Sequence, residues 1–270
     1  MNMSFFRSFL FLGLLSVAFC QEHSDTDPHL FPRPLIIELP QNVEPQCDSS
    51  IEETRLRCTG WRVAGEANNL SPWKTIPDEC IDYVKDYMLG RSYEIDLQMV
   101  SNEAARFAKS IDLKGDGMDA WIFDIDETLL SNLPYYAEHG YGLEIFDHAQ
   151  FDKWVLEGVA PTIEPSLKLY KEVLRLGFKI FLLTGRTENK RNITVNNLIE
   201  AGFHNWERLI LRGNEDHGKT AVAFKSDKRK EIMEEGFRII GNSGDQWSDL
   251  IGSALSVRSF KLSNPMYFIS

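Results

Sequence analysis

Four short segments, in fixed order along the chain, carry residue types that together can move a phosphoryl group. They are Phe-Asp-Ile-Asp-Glu-Thr at 123–128, Leu-Leu-Thr-Gly-Arg at 182–186, Phe-Lys-Ser at 224–226 and Gly-Asp-Gln-Trp-Ser-Asp at 244–249. Phosphoryl transfer needs positioned charge more than covalent invention: an in-line nucleophile, cations on the equatorial oxygens, and a proton for the leaving oxygen. Asp124 can attack phosphorus to give an aspartyl-phosphate, and Asp126 can protonate the leaving alkoxide and later take a proton from water. The Thr184 hydroxyl, the backbone opened by Gly185 and the ammonium of Lys225 are expected to hold phosphoryl oxygens. Asp124, the carbonyl of Asp126 and Asp245 suit direct coordination of Mg²⁺, with Asp249 acting through water or by orienting a ligand. Such a cation would offset the repulsion between Asp124 and a phosphate dianion.

Each segment alone has a plainer explanation. Asp-x-Asp-x-Thr also makes a solvated turn with Thr128 as a helix cap, and Thr184 could simply end a strand. Lys225 has neighbours Lys219, Lys228, Arg229 and Lys230, which could together form a wet helix face. Coincidence does not explain all four segments, in order, at the ends of apolar runs.

Positioning these residues calls for an α/β fold. From residue 119 short apolar runs alternate with amphipathic stretches, the pattern of a Rossmann-like parallel sheet with helices on both faces. Strands are expected at 119–125, 178–184, 207–211, 237–241 and 256–260, so that Asp124 and Thr184 emerge at carboxyl ends, where ligands of open sheets bind. Helices are expected near 164–176, 188–201 and 222–235, ending at Gly177, Gly202 and Gly236. Residues 131–163 interrupt the alternation with Tyr135, Tyr136, Tyr141, Phe146, Phe151 and Trp154, and read as a small helical, aromatic cap. Tyr135 and Tyr136 are its candidates for touching the leaving group. Upstream, helical spacing covers about 76–111.

Residues 1–20 hold one charge, Arg7, an apolar run and Ala18-Phe-Cys20 before Gln21, and read as a secretory signal too short to span a bilayer. Its removal leaves 250 residues: an extended arm over 21–54, rich in Pro, Asp and Gln through residue 46, and one domain over 55–270. The whole chain carries 29 basic and 40 acidic residues, a net −11, which argues against nucleic acid or an anionic membrane as partner. No later stretch is long enough to cross a membrane. Of Cys47, Cys58 and Cys80, none stands in a zinc spacing; an oxidising compartment favours one disulfide, Cys58–Cys80, with Cys47 left over. The sequons at Asn69 and Asn192 fit the same route as possible glycosylation sites.

The chain resembles the haloacid dehalogenase-like hydrolases. Trp121-Ile-Phe-Asp-Ile-Asp-Glu-Thr-Leu-Leu-Ser-Asn-Leu-Pro-Tyr-Tyr136, Leu176-Gly-Phe-Lys179, Ser243-Gly-Asp-Gln-Trp-Ser-Asp-Leu250 and the ending Phe260-Lys-Leu-Ser-Asn-Pro-Met-Tyr267 are similar to plant class B, subfamily IIIB, acid phosphatases and vegetative storage proteins, over roughly residue 55 to the end. The resemblance implies a capped Rossmann-like core, Mg²⁺ dependence, hydrolysis of small phosphomonoesters at acid pH, and an extracellular or vacuolar home. A homodimer is compatible with it. Some storage proteins of this group have lost the nucleophilic carboxylate; Asp124 is present here.

The alternative is a storage protein with vestigial catalysis. A dinuclear-metal phosphatase or a histidine-nucleophile phosphatase finds no support in six scattered histidines. A carbohydrate-binding reading of the aromatic segment leaves the four charged segments without a role.

Overall fold

The computed structural model describes residues 49–270. The signal segment 1–20, the arm up to residue 48 and Cys47 lie outside the described residues. Within them, α1 (Ser49–Glu66) is followed by α2 (Ile81–Leu89), α3 (Arg91–Lys109) and β1 (Asp119–Phe123). Next come α4 (Leu133–Glu138), α5 (His148–Glu157), α6 (Glu164–Leu176), β2 (Lys179–Thr187) and α7 (Arg191–Glu200). The chain then forms β3 (Arg208–Arg212), α8 (Ala221–Glu234), β4 (Arg238–Gly244), α9 (Trp247–Leu250) and β5 (Arg258–Lys261).

The five strands are all parallel, in the order β3-β2-β1-β4-β5. Alternation along β1 sends Trp121 and Phe123 to a core shared with α3, α6 and α7, and Ala120 and Ile122 to one shared with Phe224 and Ile232 of α8. Helices therefore cover both faces, as the alternation of apolar runs predicts. Gly241 of β4 is a packing requirement: a Cβ there would lie 2.3 Å from the Trp121 indole.

A further core joins Val84 and Met88 of α2, Tyr93 and Leu97 of α3, Tyr135 and Tyr136 of α4, and Leu262 and Met266 of the C-terminal tail. It ties the aromatic segment to the N-terminal helices and the tail.

Three boundaries differ from the sequence reading, one of them that of β4, which runs on to Gly244 past the expected end at residue 241. Residues 49–54, read as the end of an extended arm, open α1, and α1 was not anticipated. Its Ile51, Leu56 and Val63 are exposed, so it shows no buried apolar stripe. It is held instead by the Cys58–Cys80 disulfide, with Cα atoms 5.4 Å apart, and by the edge-on packing of Trp61 against Trp73. β2 also runs on to Thr187 past the expected end at residue 184, its register to β3 shifting between Leu183 and Thr187. No helix among the described residues is long and apolar enough to cross a membrane.

Candidate active site

Register brings the three strand-borne site segments, at 123–128, 182–186 and 244–249, to one edge. Phe123 pairs with Leu182 on one side and Ser243 on the other, so Asp124, Thr184 and Asp245, one or two residues further on, lie at nearly the same level of the sheet. The Asp124 N–H donates to the Ser243 carbonyl at 3.0 Å, which fixes the first turn after β1. A Cβ on Gly244 would lie 2.4 Å from the Asp249 carboxylate; glycine there lets Asp249 fold back beside Asp245.

Asp124, Asp245 and Asp249 are buried, and one carboxylate oxygen from each lies within 4.8 Å of the others. Lys225 of α8 enters this cluster, its Nζ 2.5 Å from Asp124 Oδ1 and paired also with Asp249 Oδ1. Burial works against a charged lysine, but the two carboxylates prevail and raise its proton affinity, so it stays an ammonium. Asp245 accepts the side-chain amides of Gln246 and Asn264, each at 2.7 Å, and the Thr128 hydroxyl lies 3.4 Å away. Burial and the adjacent Asp249 nevertheless push the Asp245 carboxyl up to about 7.

Three buried carboxylates against one ammonium leave an excess of negative charge. All-oxygen donors of this kind fit a hard divalent cation of the Mg²⁺ type.

Asp126 faces the opposite wall. The guanidinium of Arg186 grips it, Nη2 to Oδ1 at 2.8 Å and Nε to Oδ2 at 3.1 Å, and Asn132 Nδ2 donates to Oδ1 at 2.9 Å. Burial alone would raise this carboxyl, yet Arg186 holds it below the ordinary aspartate range. Arg186 is itself buried and anchored on Thr194 Oγ1 at 3.2 Å. Beneath lies Glu127, fully buried at φ +52°, accepting Ser131 Oγ at 3.1 Å and the Asn132 N–H at 2.8 Å. Burial, with Asp126 alongside, pushes Glu127 up to about 8.

These walls enclose a cleft of about 720 Å³. Asp124, Asp126, Gly185, Lys225, Asp245 and Asp249 line it, as do Tyr136 and, from the tail, Tyr267, whose rings stack with centroids 5.0 Å apart. Phe146, His148 and Phe151 of the aromatic segment line it as well. The Ser248 hydroxyl, in the same lining, is buried without a protein partner. Thr184 is fully buried behind the cleft; its Oγ1 accepts the Arg186 N–H at 3.1 Å and lies 3.5 Å from Asp126. Tyr135 does not line the cleft and stacks on His139, ring centroids 4.1 Å apart. Asn69 and Asn192 are exposed, while Thr194 of the second sequon is fully buried.

Arg186, Asn132, Glu127 and Asn264 were not singled out from the sequence. Arg186 stood inside a noted segment, and a buried arginine paired with Asp126 leaves no periodic signal. Asn264 comes from a tail that returns over the site, a long-range path that local pattern does not encode.

Known proteins resemble this chain in sequence and in fold. A family described as HAD superfamily, subfamily IIIB (acid phosphatase), matches residues 47–270. Acid phosphatase 1 of Solanum lycopersicum is 61% identical over 263 residues, covering 97% of this chain and 99% of that protein. Vegetative storage protein 2 of Arabidopsis thaliana is 39% identical over 214 residues, covering 78% of this chain and 80% of its own. The solved class C acid phosphatase of Bacillus anthracis superposes with a TM-score of 0.58 at 21% identity, over 71% of this chain and 86% of that one, which establishes a shared fold.

Proposed function

Because the chain belongs to subfamily IIIB of the HAD superfamily, the acid phosphatases, we propose that it hydrolyses phosphomonoesters through an aspartyl-phosphate on Asp124 with Asp126 as proton carrier. The observation that carries this reading is the Asp124–Lys225–Asp249 arrangement beside Asp245 at the mouth of an open cleft. Asp124 is the carboxylate positioned to attack. Lys225 and the exposed backbone at Gly185 are set to receive phosphoryl oxygens, while Thr184 supports the Arg186–Asp126 wall from behind. Asp124, Asp245, Asp249 and the Asp126 carbonyl would hold a Mg²⁺-type ion. When bound, it would neutralise the carboxylate cluster and the incoming phosphate.

Proton supply accounts for acid operation. Arg186 favours the ionised form of Asp126, which is a base until a proton arrives. A phosphate monoester has its second pKa near 6, so below about that pH the ester brings its own proton. Asp126 can accept it and pass it to the leaving oxygen. In the second half of the reaction the same carboxylate takes a proton from the water that attacks the phospho-enzyme.

Tyr136, Phe146, Phe151 and Tyr267 give the rest of the cleft apolar faces suited to the organic part of a small ester. The Cys58–Cys80 disulfide supports a secretory route and a final home outside the cell or in the vacuole. The storage alternative is less favoured, because the cleft is open onto Asp124 and the nucleophilic carboxylate is retained. Steady-state hydrolysis of phosphomonoesters at acid pH, with and without Mg²⁺, tests the reading. No turnover in the presence of metal would leave storage as the role.

A further inference from the structure

Asn132 is fully buried at the entry to α4, and its backbone N–H and both ends of its side-chain amide are engaged. The backbone N–H donates to the Glu127 carboxyl at 2.8 Å, Nδ2 donates to Asp126 Oδ1 at 2.9 Å, and Oδ1 accepts the indole N–H of Trp154 at 2.9 Å. A primary amide has two ends of nearly equal shape, one donor and one acceptor, and either could face Asp126. An indole N–H can only donate. Trp154 therefore dictates the orientation: the end facing it is oxygen, and the end facing Asp126 is the NH₂.

That choice decides where Asp126 can carry a proton. Oδ1 already receives Asn132 Nδ2 and Arg186 Nη2, which fill its acceptor sites, whereas Oδ2 receives Arg186 Nε and only a distant Thr184 hydroxyl at 3.5 Å. Arg186 Nε also reaches Oδ1 at 3.2 Å, so Oδ1 is the crowded oxygen and Oδ2, whose other contact is the long one to Thr184, is the one more open to a proton. With the amide reversed, two oxygens would face each other, and a proton on Asp126 would be drawn into a bond with Asn132 and away from the ester. Trp154 sits on α5, in the aromatic segment, which is also tied to the sheet side by the Lys190–Asp152 ion pair. Neither Asn132 nor Trp154 lines the cleft.

We propose that Trp154 and Asn132 are positioning residues that form a relay, through which the aromatic cap orients the Asp126 carboxyl for proton transfer to the leaving oxygen. The relay rests on the assignment of Asp126 as general acid and deepens it. Its signature is leaving-group dependence: a p-nitrophenolate departs without a proton, whereas an alkoxide needs one.

The experiment compares kcat/KM for glycerol phosphate and for p-nitrophenyl phosphate in wild type, Trp154→Phe, Asn132→Ala and Asp126→Asn. Using kcat/KM confines the comparison to steps up to formation of the phospho-enzyme. Trp154→Phe keeps most of the ring and deletes the donor, and its thermal unfolding midpoint serves as the folding control. The expected result is an alkyl-to-aryl ratio lowered about tenfold in Trp154→Phe, a fraction of the roughly 10²- to 10⁴-fold that a general acid supplies, and lowered further in Asn132→Ala. If Asn132→Ala does not fold, Trp154→Phe decides alone. Equal loss on both esters in Trp154→Phe, with a leaving-group-dependent loss in Asp126→Asn, overturns the relay and keeps the acid. Equal loss on both esters in Asp126→Asn overturns the acid assignment and the relay with it.

Discussion

Lys225 Nζ lies 2.5 Å from Asp124 Oδ1 and is paired at the same time with Asp249, so one ammonium on α8 joins the end of β1 to α9. Both pairs are buried, with side-chain exposures of 7% or less, which makes the lysine an organising charge as well as the proposed ligand for phosphate. Removing it leaves carboxylates facing each other in a poorly solvated place. Lys225→Met is expected to cost about 3 kcal/mol of stability and roughly 10²-fold in turnover. Denaturant unfolding and steady-state rates check this; a variant as stable and as active as wild type would remove Lys225 from both roles.

Asp124→Asn is nearly isosteric and keeps an acceptor toward Lys225, so the fold should survive while turnover at acid pH disappears. Circular dichroism and a phosphate-release assay settle it. Full activity in this variant would place the nucleophile elsewhere.

Chelation should silence the enzyme and lower its unfolding midpoint, and Mg²⁺ should restore both. A ligand at a hundred times its Kd adds about 2.7 kcal/mol to stability. Asp245→Asn, which removes one of the three clustered carboxylates, should shrink the Mg²⁺-induced rise in midpoint. A rise of wild-type size in Asp245→Asn would exclude Asp245 as a ligand.

Arg238 on β4 holds Asp116 through both terminal nitrogens, at 2.6 and 2.9 Å, and Asp119 through Nε at 2.7 Å. Its hydrogen bonds lower both carboxyls, Asp116 to about 2. Folded-state values below the unfolded value of 3.8 mean that the stabilisation is present above pH 3.8 and is lost as pH falls toward 2. Arg238→Met should therefore be less stable than wild type at pH 5, and the gap should close near pH 2. Acid unfolding followed by circular dichroism gives the comparison; a gap that widens toward pH 2 would contradict the assignment.

The Cys58–Cys80 bridge closes a loop with a sequence separation of 22 and helps to hold α1, beside the ion pairs of Arg62 with Asp96 and of Glu66 with Lys261. Replacing both cysteines by alanine should cost about 3 kcal/mol, chiefly through the unfolded chain. The cleft is built from other elements, so kcat at a temperature where the variant is folded should stay within about twofold. A tenfold loss of kcat there would show that α1 shapes the cleft.

The strands and most helices were legible because each carries its own period: continuous apolar runs at 120–123 and 180–183, and amphipathic spacing in α6 ending at Gly177. Asp124, Asp126 and Asp245 could be singled out because each follows an apolar strand, and Lys225 and Asp249 because they sit near the start of helices beside those strands. α1 was not legible, since a helix fastened by a disulfide, a pair of tryptophans and the ion pairs of Arg62 and Glu66 need not bury an apolar stripe. Nor were Arg186 and Asn132: a grip on Asp126 from residues 60 and 6 positions away depends on rotamer and loop path.

Sequence alone determined the α/β class, the chemistry on offer and the edge of the sheet where it would gather, because hydrophobic period and strand polarity are local properties that a parallel sheet converts directly into position. Tertiary structure decided which partner each charge received. Asp126 went to Arg186 and Asn132, Asp124 to Lys225, Asp245 to Asn264 of the returning tail, and Thr184 went behind the cleft rather than into it. Those pairings are set where buried charges must find counter-charges across segments far apart in the chain, and the desolvation that enforces them exists only once the core has closed.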